Sequence, residues 1–136
     1  MSKRMMNLFL GLLSLCIGSI LYLLFRENTL ISRLFAQMTT LSHIRSYFEM
    51  FSCDFLKYYF PDFLWAFSLS CLLEAFCART VKGTVICCFT AIACGSIWEI
   101  LQWLCILNGT GDCLDIIMYL FGGGLCLLIN TKEKEV

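Results

Sequence analysis

The stretch AIACGSIWEILQWLCILNGTGDCLDIIMYLFGGGL, residues Ala91 to Leu125, decides the fold. It reads as the end of one apolar helix, a tight polar turn, and the start of another. Glu99 and Gln102 fall inside the first helix, and Asp112 and Asp115 open the second. Acids within an apolar span are expensive in lipid, so these side chains should face protein or water. Asn108 to Gly111 supplies turn residues that tolerate unusual backbone angles.

Working outward, the composition agrees with a membrane protein. The 136 residues are 60% hydrophobic, 15% charged and of zero formal net charge, with a mean hydropathy of +0.80. A soluble domain of this size needs a far more polar surface. No basic tail invites nucleic acid. The ten cysteines fall mostly within apolar runs, where cysteine acts as a small hydrophobe rather than a disulfide framework. Cys53, Cys105 and Cys113 lie near span ends on one side and are the candidates for any pairing. No spacing of Cys and His suits zinc, and no motif requires a cofactor.

Four spans are expected, at about 5–25, 61–78, 84–107 and 112–129, forming one antiparallel all-α bundle in a single membrane domain over 1–136. The basic start before the first span resembles a signal peptide. Its length of about 20 apolar residues favours a retained helix. Ser14 and Gly18 give that helix a small patch for close approach. Between the first two spans, Leu30, Leu34, Met38, Leu41, Ile44, Phe48 and Phe51 recur at helical spacing. An amphipathic helix lying in the interface, at about 29–51, is the reading. It carries His43, the one histidine, for which a solvated or headgroup-facing place is expected.

Pro61 suits the first turn of the second span, beside an aromatic belt of Tyr58, Tyr59, Phe60 and Trp65. Asp62, Ala66, Ser70 and Glu74 then repeat every four residues. The third span carries the stripe Cys88, Ala91, Gly95, Glu99 and Gln102, and the fourth groups Asp112, Asp115, Tyr119 and Gly122. Three spans therefore present small and polar faces to one another. Glu74 either joins this inner face or reaches toward Arg79 and Lys82. Glu99 is expected roughly 9–12 Å below the end of its helix at 1.5 Å per residue.

Lys3, Arg4, Arg79, Lys82, Lys132 and Lys134 share one side of this threading. The positive-inside rule puts that side, with both termini, in the cytoplasm. Asp62, Glu99, Gln102, Asp112 and Asp115 gather toward the other side, where Arg26, Arg33, Arg45 and Lys57 are diluted over a longer loop. Carboxylates so placed must be protonated, hold a cation, or take hydrogen bonds from donors such as Gln102, Trp65, Tyr119 or backbone N–H groups. Asp112 and Asp115 have the first turn of a helix to steady them. Glu99 has no such local support. A carboxylate pair, Glu99 and Asp115, could do acid–base work on a lipid-linked substrate. The acids could equally hold a divalent metal or a cationic group of a ligand. No nucleophile triad or phosphate loop supports an enzyme.

With those residues in hand, the stretch from about Phe60 to Leu128 resembles the VanZ-like family of small membrane proteins. The resemblance rests on Pro61-Asp62, on Glu99 and Gln102 in Trp98-Glu99-Ile100-Leu101-Gln102, and on the turn to Asp112 and Asp115 with Gly122 and Gly123 beyond. The chain departs from that family at Trp65 and Ala66, where a histidine is usual, and at Tyr119, where an asparagine is usual. It also lacks an arginine between Leu107 and Asp112. The resemblance implies a polytopic protein of the bacterial cell envelope, associated with low-level resistance to glycopeptide antibiotics of the teicoplanin type. The residues together point to a ligand site of Asp62, Trp65, Glu99, Gln102, Asp112, Asp115 and Tyr119 that engages a lipid or amphiphile. Membrane lipids are its expected partners. An enzyme on a lipid-linked substrate, or a small subunit packed against a larger membrane protein, are the alternatives.

Overall fold

The computed structural model describes residues 2–25 and 53–132. The amphipathic segment expected at about 29–51, with His43, lies outside the described residues. Five helices are described: α1 (Lys3–Phe25), the short α2 (Asp54–Tyr58), α3 (Phe60–Cys77), α4 (Val81–Trp103) and α5 (Cys113–Lys132). All but α2 are long and apolar enough to cross a membrane. The chain is thus a multi-pass helical membrane bundle.

Burial follows the sequence stripes. Helix α1 turns Asn7, Gly11, Ser14 and Gly18 inward and packs chiefly on α3. A Cβ on Gly11 would come within 3.2 Å of the Ser68 carbonyl oxygen and 2.9 Å of the Leu72 side chain, so the missing side chain lets the two backbones approach closely. The Ser68 hydroxyl donates to the Gly11 carbonyl at 2.8 Å across the same seam. Helices α3, α4 and α5 pack on one another as a three-helix core. A Cβ on Gly122 would lie 2.5 Å from the Phe63 carbonyl oxygen, which places α5 hard against α3. The bulky apolar residues, such as Ile86, Phe89, Ile97 and Phe121, face outward, as lipid requires.

The third span sits earlier in the chain than 84–107. It starts at Val81 because Thr80 caps it, its side chain accepting from the Gly83 N–H. It stops at Trp103 because the chain turns left-handed at Cys105, φ 55°. The Cys105 N–H reaches the Gln102 carbonyl and the Ile106 N–H reaches the Leu101 carbonyl, both at 3.0 Å. That pairing is a Schellman close with cysteine where glycine is usual. Glu99 therefore lies four residues, about 6 Å, from the helix end, shallower than the sequence implied.

Charge separates along the bundle. Lys3, Arg4, Arg79, Lys82 and Lys132 belong to one end. There Lys3 Nζ donates to the Asn130 carbonyl near the C-terminus of α5 at 3.2 Å, a favourable place for a cation. Asn7 and Asn130 exchange amide hydrogen bonds beside it, at 2.8 and 3.4 Å. Glu74 is buried on the inner face of α3 and accepts from the Thr84 hydroxyl of α4 at 3.1 Å. The opposite end carries Asp62, Glu99, Asp112 and Asp115; Lys57 is the basic side chain there among the described residues, its Nζ 5.9 Å from the Phe25 ring centroid.

Candidate functional site

Three spans contribute one polar side chain each to a common node. Asp62 sits in the first turn of α3 and Glu99 near the last turn of α4. Tyr119 lies on α5 and leans back toward its N-terminus, as helical side chains do. The Tyr119 hydroxyl stands 3.1 Å from Asp62 Oδ1 and 3.1 Å from Glu99 Oε1. One phenol carries one proton, so it donates to one carboxylate at a time and holds the other within reach. Its ring fills the space where a Cβ on Gly95 would come within 2.6 Å. That glycine of α4 lets the tyrosine enter between the helices.

Glu99 has a second partner. The backbone N–H of Asp112 donates to Glu99 Oε2 at 3.2 Å. Glu99 is only 3% exposed, and both its oxygens accept hydrogen bonds from α5 or the turn before it. That arrangement answers the problem Glu99 poses. Lying near the C-terminus of α4, it gains nothing from the helix dipole, and its oxygens are satisfied by side-chain and backbone donors instead.

Asp112 caps α5. Its Oδ1 accepts from the Leu114 N–H at 3.0 Å, and its Oδ2 accepts from the Tyr59 hydroxyl at 3.3 Å. Tyr59, at the joint between α2 and α3, thus ties that joint to the turn between α4 and α5. The sequence placed Asp112 in the first turn of the helix; it is instead the cap. Asp115 is in the first turn of α5 and 9% exposed.

The hydrogen-bonded node therefore comprises Asp62, Glu99, Tyr119, Asp112 and Tyr59, with Asp115 buried at the same end. Two residues expected in it stand apart. Trp65 is 49% exposed and lays its indole against Gly18 of α1, within 3.6 Å of where a Cβ would be. It is three residues from Asp62, which turns it about 60° off the inner face. Gln102 packs its amide on Gly109, where a Cβ would meet Nε2 at 2.6 Å. The early helix stop folds the turn back over it. Tyr59 was read only as part of an aromatic belt; a tyrosine just ahead of the Pro61-Asp62 helix start was the available signal.

Among the described residues no group of three or more His, Cys, Asp and Glu side chains is placed to hold a metal ion. Cys53, Cys105 and Cys113 are exposed free thiols. Chemically, the node can accept hydrogen bonds from ammonium or hydroxyl groups. Comparison with protein-family models, curated proteins and solved structures finds no match for this chain.

Proposed function

We propose that this is a VanZ-like cell-envelope membrane protein that binds the polar head of a lipid or amphiphile at its acidic end. The observation carrying the reading is the meeting of Asp62, Glu99 and Tyr119, one from each of three spans, beside Asp112 and Asp115. Carboxylates collected at a span end favour a head with a cationic group and disfavour one of net negative charge. The basic end belongs in the cytoplasm by the positive-inside rule, with the node toward the outer leaflet of a bacterial cytoplasmic membrane. The family resemblance adds a link to glycopeptide tolerance.

The experiment compares lipids retained by the purified chain, counted by native mass spectrometry. The probes are phosphatidylethanolamine, which carries an ammonium, and phosphatidylglycerol, which does not. The wild-type chain should retain the first preferentially, and Asp62→Asn and Glu99→Gln should each lower that preference several-fold. Equal retention of both lipids by the wild-type chain defeats the proposal. Raised teicoplanin tolerance on expression in a bacterium, lost in Asp62→Asn, would extend it to the envelope role.

A structural reading has an observation of its own: both Glu99 oxygens are already engaged by protein donors. In that reading the acids hold the helices together, in this chain alone or against a larger membrane partner. It predicts that Glu99→Gln lowers the unfolding temperature and leaves lipid retention unchanged. An enzyme using Glu99 and Asp115 on a lipid-linked substrate would instead release more than one equivalent of product per protein.

A further inference from the structure

The acidic node leaves a second buried group of reactive side chains unused. Cys71 on α3, Cys88 on α4 and Cys126 on α5 form the buried core cluster together with Phe67. Cys71 is 1% exposed, Cys88 2% and Cys126 0%. The Cys71 and Cys126 sulfurs are 3.6 Å apart, and the Cys71 thiol is directed at Cys126 Sγ. The Asn130 amide also donates to Cys126 Sγ, at 3.5 Å. The cluster lies six residues, about 9 Å, from the basic end of α5, well away from Tyr119.

We propose that Cys71 and Cys126 are an oxidisable pair that hydrogen peroxide converts to a disulfide joining α3 to α5. Two considerations support this. The sulfurs need to close from 3.6 Å to about 2 Å, a movement within reach of small side-chain rotations. The oxidant must enter a packed core inside a membrane, and hydrogen peroxide is uncharged and close to water in size. Cys126 Sγ attacks one peroxide oxygen; the O–O bond breaks, and the departing hydroxide takes the thiol proton as water. Cys71 Sγ then attacks the sulfenic sulfur of Cys126. The S–O bond breaks, and that hydroxide leaves as a second water with the Cys71 proton. Two thiols lose two electrons, and one peroxide becomes two waters. The bond would tie together the helices that carry Asp62 and Tyr119. The inference itself does not depend on what binds there.

The test uses the full chain in lipid nanodiscs. It is treated with hydrogen peroxide, blocked with N-ethylmaleimide, digested without reductant and mapped by mass spectrometry. A Cys71–Cys126 crosslinked peptide should appear, and should vanish when the sample is reduced before digestion. Cys88→Ala should keep it. Cys71→Ala should lose it and leave a sulfenic acid at Cys126 that dimedone traps. The proposal is overturned if the wild-type map shows oxidation only at exposed cysteines such as Cys53 or Cys113, or if Cys126 pairs with Cys88 instead. The wild-type map decides by itself if either variant fails to fold.

Discussion

Tyr119 is the residue on which the acidic end turns, because its one hydroxyl serves carboxylates from two other helices. Tyr119→Phe keeps the ring against Gly95 and removes only the oxygen. Two carboxylates then lose their shared donor, at a cost of about 1–3 kcal/mol. Thermal unfolding in detergent should show this as a lower midpoint. Asp112 offers a cleaner separation of roles. Asp112→Ala removes the cap of α5 and should cost about 0.5–2 kcal/mol, whereas Asp112→Asn keeps a good capping side chain and should recover most of it. An equal loss in both variants would mean that charge, rather than capping, matters at that position. The residue scale is also where the sequence was least readable. Glu99 could be placed because an acid in an apolar span has only inward directions open to it. Trp65 and Gln102 could not be, since each sits three residues from an inward acid and a rotation of about 60° decides which neighbour it meets. Asn7 carried a signal that the apolar run around it hid: with Gly11, Ser14 and Gly18 it continues one small, polar stripe.

At the scale of elements, the spans and their inner faces were legible because helical periodicity and apolar length are both properties of the chain itself. The end of α4 was not, because its left-handed residue is Cys105 rather than glycine, and nothing in cysteine announces that conformation. The contacts between elements rest on glycines that differ sharply from one another. A Cβ at Gly122 would press within 2.9 Å of both the Phe63 oxygen and the Phe67 nitrogen, while one at Gly124 would meet nothing within 4 Å. Backbone atoms cannot swing aside as a side chain can. Gly122→Ala should therefore push α3 and α5 apart and cost about 1–3 kcal/mol. Gly124→Ala, two residues along the same helix, should gain about 0.5–1 kcal/mol by restricting the unfolded chain. Unfolding midpoints of the two variants should move in opposite directions. Movement in the same direction would show that α3 and α5 do not meet through Gly122.

For the whole molecule, the segregation of charge is the property with the widest consequence. Among the described residues, one end holds Lys3, Arg4, Arg79, Lys82 and Lys132 with Glu74, and the other holds Asp62, Glu99, Asp112 and Asp115 with Lys57. Both arise from antiparallel threading: the α3–α4 turn and the outer ends of α1 and α5 bring cations to one end, and the starts of α3 and α5 bring aspartates that the helix dipole favours to the other. The same segregation orients the chain during insertion, since Lys and Arg in short connections resist transfer across the membrane. Native cysteines give a direct readout. Cys53, Cys105 and Cys113 are exposed at the acidic end, and Cys77, also exposed, closes α3 at the basic end. In intact cells a membrane-impermeant maleimide should label the first three and spare Cys77, which should react once the membrane is opened. Reversing the short basic turn with Arg79→Glu and Lys82→Glu should weaken that asymmetry. If Cys77 is labelled in intact cells and the other three are protected, the acidic node faces the cytoplasm. A head from the outer leaflet could then not be what it binds, although the node itself would be unchanged.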